Sequence, residues 1–139
     1  MKIYQSRYDK LPGSSYDEVV SLARKEYQYV KKLTKRQPYV RSSYFTKNKI
    51  FLALFWEHLA QKHRAEKTRR LKLYLCALDL LRHSKYPPET IAKTDDLNLL
   101  LHRFTGLTKD GGLFCVQVKE DKRSGRKDFM SVFSKSSPK

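Results

Sequence analysis

The sequence predicts an α+β fold in which N-terminal helices pack on a small C-terminal antiparallel β-sheet. Two observations predict it. Apolar residues recur at helical spacing along most of residues 14–83, whereas residues 97–134 read as short strands separated by glycine-containing turns. Helices followed by strands are typical of an α+β domain, and no internal repeat divides the 139-residue chain. We therefore expect one domain over residues 14–134, large enough to bury about two-thirds of its unfolded surface.

The N-terminal part is predicted to begin with a lead-in segment, residues 1–13, which ends in a Pro-Gly turn. Ser14 or Ser15 can cap the helix that follows, because a side-chain oxygen there satisfies a free backbone N–H and acidic residues occupy the first turn. This additional helix spans residues 14–37, and its basic outer face is either a solvated surface or an RNA contact. Pro38 forces the chain out of the helix.

The middle of the chain is predicted to contain two further helices. A short extended segment at residues 39–45, rich in aromatic and hydroxyl side chains, precedes a central helix over 47–70 that either continues or breaks near Ala65. A second helical period follows over residues 68–83 and stops before a Pro-Pro pair. Residues 84–96 carry no regular signal and are expected to form a polar connector.

One histidine interrupts the apolar stripe of the central helix. His58 follows Leu54 by one turn and precedes Lys62 by one turn, so these side chains lie on one side of the helix. Such a histidine is either a core residue or part of a functional site. The two interpretations differ in whether His58 reaches solvent.

Three strands are expected to form an antiparallel meander over residues 97–107, 113–121 and 127–134, with residues 135–139 as a disordered tail. Side-chain alternation places the valines of the middle strand, Val116 and Val118, on one face. If Met130 and Val132 pair with these valines, the opposite face holds a polar set, namely Gln117, Lys119 and Ser131.

Charge is the strongest indication of function. Thirty Lys and Arg residues against fourteen Asp and Glu give a net charge of +16. This excess favours binding to RNA or DNA, while a solubilising surface or an acidic partner protein would also account for it. No apolar run is long enough to span a membrane, and the N-terminus is not expected to be a secretion signal. Cys76 and Cys115 lie in apolar contexts without metal-ligand spacing, which predicts buried, reduced thiols in a cytoplasmic protein.

The residue pattern disfavours several enzyme classes and leaves one open. The chain lacks a glycine-rich phosphate loop, zinc-finger spacing, an H-E-x-x-H motif and a nucleophile elbow, and no acidic cluster suits two magnesium ions. Metal-free RNA cleavage needs only a base, an acid and cations that stabilise the phosphorane-like transition state. The residues that can supply these groups are His58, Lys62, Arg64, Arg69 and Arg70 on helices, and His102, Arg103, Lys119 and Ser131 on strands. For His102 and Arg103, a structural cross-strand pair is the competing interpretation.

The order of these segments resembles a family of compact nucleases. The resemblance is carried by YVRSSYF, a helix with a central histidine, a second helix ending before Pro87, LLHRFTG, LFCVQVKED and DFMSVF, which together cover about residues 39–134. These features are similar to those of the phage-associated barnase/EndoU/colicin/RelE-like (PBECR) nucleases. The resemblance implies helices packed on a small antiparallel sheet and RNA cleavage without a metal or other cofactor. It also implies active groups drawn from the helical segment and from the concave face of the sheet.

By this resemblance, His58 and Lys62 match the helix positions and Ser131 matches a hydroxyl on the last strand. His102, Arg103 and Lys119 are weaker matches. His58 is assigned as base or acid, and Ser131 as the group that orients the phosphate. The cations assigned to charge stabilisation are Lys62, Arg103 and Lys119, and those assigned to RNA binding are Arg64, Arg69, Arg70 and Lys72. If apolar neighbours bury His58, the resemblance implies a RelE-like set of Lys and Arg without histidine. In that case more of the chemistry falls to Arg64, Arg69, Arg70 and Arg103.

The sequence therefore predicts a cytoplasmic, metal-independent endoribonuclease of the kind that serves as the toxin of a toxin–antitoxin or phage-linked system. RNA and an acidic antitoxin protein are the expected partners, without a membrane or a metal. Two other classes stay open: a non-catalytic nucleic-acid-binding protein, and an interaction module for an acidic partner protein.

Overall fold

The computed structural model describes residues 3–92 and 95–135, and within these ranges the chain is a mixture of helices and strands. The predicted α+β class is confirmed. The elements, in chain order, are β1 (Tyr4–Gln5), α1 (Tyr16–Leu33), β2 (Tyr39–Arg41), β3 (Lys49–Phe51), α2 (Ala53–Leu59), α3 (Arg64–Leu71), α4 (Tyr74–His83), β4 (Glu89–Ala92), β5 (Leu99–Leu107), β6 (Leu113–Asp121) and β7 (Lys127–Ser134).

The strands form one mixed sheet in the order β1-β5-β6-β7-β3-β2, and β4 pairs with β5 beside β1. The antiparallel meander β5-β6-β7 is its centre, as predicted. However, β1 joins β5 in parallel and β3 joins β7 in parallel, so the expectation of a purely antiparallel C-terminal sheet is only partly right. The strand β2 lies within the extended segment predicted over residues 39–45, whereas β1 and β3 were missed because two or three residues are too few for an alternating pattern to show.

The central helix begins later than predicted. Thr46 and Lys47 adopt positive φ angles of 55° and 66°, and this turn leads into β3. Ile50 is fully buried in that strand, so tertiary pairing overrides the local helical period. The predicted central helix over 47–70 is therefore two shorter ones, because α2 begins at Ala53 and ends before the break that precedes α3.

The N-terminal helix begins at the cap that the sequence predicts. Ser15 caps α1: its Oγ accepts a hydrogen bond from the Glu18 N–H at 3.3 Å, and the Glu18 carboxylate accepts one from the Ser15 N–H at 3.2 Å. This reciprocal pair satisfies two backbone donors that a helix start leaves free. The helix ends at Leu33 and not at residue 37 as predicted, because Thr34 already adopts an extended conformation, with φ −120° and ψ 143°. Pro38 is buried and does not terminate the helix.

The segment predicted as a polar connector, residues 84–96, contains β4. Glu89–Ala92 pairs antiparallel with β5, and the two prolines before it direct the chain into an extended conformation. Residues 93–94 of this connector and residues 136–139 of the predicted tail lie outside the described residues, whereas Lys135 still donates its N–H to the Leu113 carbonyl at 3.0 Å.

The helices cover one face of the sheet. Phe55 on α2 stacks on Phe129 of β7, with ring centroids 4.7 Å apart and planes inclined by 2°. Such a pair adds about 0.5–1.5 kcal/mol to the burial of the two rings. On β5, Gly106 lets Leu80 of α4 approach, because a Cβ there would lie 2.8 Å from Leu80 Cδ1. Among the described residues, no helix combines the length and the apolar character needed to cross a membrane.

The β6–β7 register confirms one predicted pairing and corrects another. Val116 lies opposite Val132, and Gln117 lies opposite Ser131, as the alternation predicts. A bulge then leaves Met130 without a partner, so Val118 faces Phe129 and not Met130. Phe129 is consequently fully buried and Met130 is half-exposed.

Candidate functional site

The face of the sheet that points away from the core carries a polar row. Arg103, Gln117 and Ser131 are register partners on β5, β6 and β7, and all three are half-buried. Their neighbours along the strands, such as Phe104 and Val116, point to the opposite face and are buried in the core. The row therefore places a cation, an amide and a hydroxyl side by side on an accessible surface.

The row ends at the edge of β7 where helices α2 and α3 replace a neighbouring strand. This happens because β3 pairs only with the first two residues of β7, Lys127 and Asp128. Beyond them, four polar residues that were predicted from separate segments border one small cleft, whose inner wall is formed by apolar atoms of these residues and of their apolar neighbours. The lining residues are His58, Lys62, Arg70, Ser131, Phe55, Leu59 and Met130.

The β7 bulge positions this cleft. Met130, the additional residue, lines the cleft, and Ser131 returns to the register that pairs it with Gln117. Bulges re-aim side chains in this manner at the edges of sheets. Without the bulge, either Phe129 or Ser131 would lie on the wrong face.

Ser131 is available to donate a hydrogen bond to a ligand. The Gln117 amide nitrogen donates to Ser131 Oγ at 3.0 Å, while its oxygen accepts from Arg103 Nε at 3.2 Å and Nη2 at 3.1 Å. The opposite orientation would turn the amide nitrogen towards the Arg103 donors, which leaves both groups unsatisfied. Since Ser131 Oγ accepts from Gln117, its own O–H is left to point at a ligand.

Arg70 is held in place by Glu66, one turn earlier on α3. Its Nε donates to Glu66 Oε2 at 3.0 Å, and its guanidinium lies 5.5 Å from the centre of the Phe133 ring. Glu66 also accepts two hydrogen bonds from Arg69, and these, together with Arg70, hold the pKa of Glu66 below its usual range. Arg70 is only 17% exposed, so its charge is less screened by solvent than that of a free surface arginine.

His58 is half-buried at the edge of the cleft. Lys62 is exposed, but it lies in the turn between α2 and α3 and not, as predicted, on the helix of His58, because α2 ends at Leu59. The core interpretation of His58 required burial beneath its aromatic neighbours, and the structure shows that it reaches the surface. Its neighbour Phe55, in contrast, is 1% exposed. Histidine suits proton transfer near neutral pH, and a cation beside it suits a developing negative charge.

Two of the predicted strand residues lie elsewhere. Lys119 shares the face of the polar row but lies two residues further along β6, opposite Asp128. His102 lies on the core face, where Thr90 contacts Nδ1 at 2.8 Å and Glu120 contacts Nε2 at 2.7 Å. His102 is therefore separated from the cleft by the sheet, since adjacent residues of a strand point to opposite faces. These contacts with neighbouring strands agree with the competing interpretation of His102, in which it forms a structural cross-strand pair.

Of the four residues predicted to bind RNA, only Arg70 lines the cleft. Arg64 lies against α1, with its guanidinium 4.8 Å from the Tyr16 ring centre and 3.3 Å from Asp17. Arg69 is exposed and paired with Glu66, and Lys72 is the half-buried C-cap of α3. The sequence-based list missed Gln117 and Phe133 as site residues, although strand alternation already placed Gln117 beside Ser131.

Within residues 3–92 and 95–135, no group of three or more His, Cys, Asp or Glu side chains is arranged to hold a metal ion. No protein-family model matches the chain, and no curated protein or solved structure shows significant similarity to it.

Proposed function

We propose that the protein is a metal-independent endoribonuclease with a BECR/RelE-like fold, and that the cleft between α2, α3 and β7 is its catalytic centre. One observation carries this proposal. His58 on α2, Lys62 in the turn after α2, Arg70 on α3 and Ser131 on β7 border the same cleft. These residues can supply the base, the acid and the cation that transesterification of RNA requires, together with a hydroxyl that orients the phosphate.

The proposed reaction breaks the P–O5′ bond as the ribose 2′-oxygen forms a bond to phosphorus. His58 accepts the proton of the 2′-OH, and Lys62 donates a proton to the departing 5′-oxygen. Arg70 and the Ser131 O–H bind the non-bridging oxygens, on which negative charge increases in the transition state. The products are a 2′,3′-cyclic phosphate and a 5′-hydroxyl, and His58 and Lys62 exchange their protons with solvent before the next turnover.

The scissile phosphate would bind at the mouth of the cleft. The cleft encloses only about 10 Å³, which is room for one water molecule at most. Gln117 lies next to Ser131 on the open face and Arg103 lies next to Gln117, so the surface beyond the mouth of the cleft is positively charged. The small enclosed volume is also the observation that favours the second candidate function, RNA binding without turnover.

The two candidates separate in one assay with a matched pair of serine variants. Purified protein in excess over mixed RNA in EDTA is expected to produce fragments that end in 2′,3′-cyclic phosphate. Ser131→Ala should cleave about 10- to 100-fold more slowly because one transition-state hydrogen bond is lost. Ser134→Ala, on the exposed end of the same strand, should cleave at the wild-type rate. Intact RNA that still shifts on a gel would leave only the binding function.

The proposal also includes an acidic antitoxin as partner and the cytoplasm as the cellular compartment. The net charge of +16 suits both RNA and an acidic antitoxin that would cover the cleft. Cys76 and Cys115 are both free and buried, which supports a reducing compartment such as the cytoplasm.

A further inference from the structure

A larger pocket lies on the open face of the sheet, beside the cleft. It has a volume of about 660 Å³, within the roughly 300–1,000 Å³ typical of small-molecule sites. Thr105, Cys115 and Phe133 form its floor across β5, β6 and β7, because they are register partners on that face. The segment before β4 and the first residue of β4 form one wall, which includes Tyr86 and Glu89.

The pocket and the cleft share a boundary. Phe133 lines the pocket and lies 5.5 Å from the Arg70 guanidinium, which lines the cleft. Arg103 also lines the pocket, and it contacts Gln117, the partner of Ser131. A phosphate held between Arg70 and Arg103 would therefore place its attached nucleoside at the pocket.

The chemistry of the pocket suits an unstacked nucleobase. Tyr86 and Phe133 offer aromatic rings, and single-stranded RNA is recognised largely by stacking bases on such rings. Tyr86 is 39% exposed, so its ring is accessible to a ligand. Glu89 is the only acidic side chain among the described residues that line the pocket, and an ionised carboxylate can only accept hydrogen bonds.

We propose that this pocket is a base-binding subsite for single-stranded RNA, in which Glu89 accepts hydrogen bonds from the edge of the base and Phe133 and Tyr86 contact its face. Guanine presents two adjacent donors, N1–H and the N2 amino group, which match the two oxygens of one carboxylate. Uracil presents one donor between two carbonyl oxygens, and these would face the carboxylate. The subsite should therefore prefer guanine most and uracil least.

This inference rests on the proposed function for its substrate class, but its test uses binding and not cleavage. Five-residue 2′-O-methyl oligonucleotides, with G, A, C or U at the centre of a uridine background, lack the 2′-OH nucleophile and can only bind. Fluorescence anisotropy should show the G oligonucleotide bound about tenfold more tightly than the U oligonucleotide, as expected for hydrogen bonds to a charged group. Glu89→Gln should abolish most of this preference, because its amide presents a donor in place of one acceptor.

Glu57→Gln is the matched control. Glu57 is exposed on α2, so this substitution removes the same charge at a position outside the pocket. It should keep the wild-type preference. Tyr86→Ala should weaken binding of all four oligonucleotides by about fivefold or more through lost stacking. Equal binding of all four by the wild type, or an unchanged preference in Glu89→Gln, would overturn the subsite. If the protein shows the base preference but does not cleave RNA, the nuclease proposal is wrong and the subsite proposal stands. If it cleaves RNA but shows no base preference, the subsite proposal is wrong and the nuclease proposal stands.

Discussion

Replacing Asp79 by asparagine tests how the N-terminal segment is attached to the domain. Asp79 lies on α4 with its side chain 1% exposed, and its carboxylate accepts five hydrogen bonds from the segment that contains β1. Tyr4 Oη donates at 2.8 Å, Ser6 Oγ at 3.1 Å and the Arg7 backbone N–H at 3.0 Å. The Arg7 guanidinium adds two more, at 3.3 and 3.0 Å.

The cost of Asp79→Asn follows from this geometry. The substitution removes the charge and sets an NH₂ group against buried donors, which costs about 2–3 kcal/mol for one charge-assisted interaction. The expected loss in the free energy of unfolding is nearer the lower value, because the Arg7 side chain is 67% exposed and water can replace part of the hydrogen bonding that its guanidinium loses. For a domain of this size the midpoint of thermal unfolding should fall by about 5–10 °C. The control Asp17→Asn, on an 84% exposed side chain, should change stability by less than about 0.5 kcal/mol.

The effect should depend on pH in one direction. Burial by itself would raise the pKa of Asp79, but hydrogen bonds from Arg7, Tyr4 and Ser6 lower it below the usual value. A carboxylate with a lowered pKa in the folded state stabilises the protein above its unfolded pKa of about 3.9 and loses that contribution as the pH falls further. Denaturation followed by circular dichroism should therefore show a constant difference between wild type and Asp79→Asn from neutral pH to about pH 5, and a shrinking one below about pH 4. A difference that persists undiminished at pH 3, or that is as small as that of Asp17→Asn, would refute the reasoning.

Three further predictions concern packing, the polar row and the thiols. Gly106→Ala should lower the free energy of unfolding by about 1–3 kcal/mol in urea, because its Cβ would lie 2.7 Å from the Phe114 ring. Gln117→Glu should slow RNA cleavage about tenfold or more without changing the thermal midpoint, because a carboxylate there would accept the Ser131 proton that the phosphate needs; an unchanged rate would contradict the assigned amide orientation. Burial raises the pKa of the Cys76 thiol to about 11, so iodoacetamide at pH 8 should leave Cys76 unmodified in the folded protein and alkylate it in urea.

Local signals were sufficient for part of the fold. The cap at Ser15 fixes the start of α1, since it depends only on neighbouring residues, whereas the end at Leu33 comes before the predicted break at Pro38. The strand alternation around Val116 also predicted the Gln117–Ser131 pair, because two strands joined by a short turn have few registers that bury their apolar face. The Met130 bulge was not predictable, since it is stabilised by the stacking of Phe129 on a helix.

The rest depends on contacts between distant segments. The strand β3 forms only because β7 accepts its backbone, and it delays the start of α2. Arg70 reaches the cleft because the chain turns between α2 and α3; the sequence offered this break as one of two alternatives and placed it a few residues later, near Ala65. His102 was misplaced because apolar residues occur on both faces of its strand, so alternation did not indicate which way it points. Asp79 escaped notice in an apolar helix, since its partners lie more than 70 positions away.

The central claim, that the cleft beside β7 cleaves RNA, is tested most directly by the single-turnover cleavage rate of one RNA in EDTA with His58→Ala and with His63→Ala. His63 is an exposed histidine whose side chain makes no capping hydrogen bond, so it is a matched control. The account predicts that His58→Ala slows cleavage by about 10²–10⁴-fold, as expected for the loss of a general base, while His63→Ala cleaves at the wild-type rate. Equal rates for the two variants, or intact RNA with the wild-type protein, would contradict it.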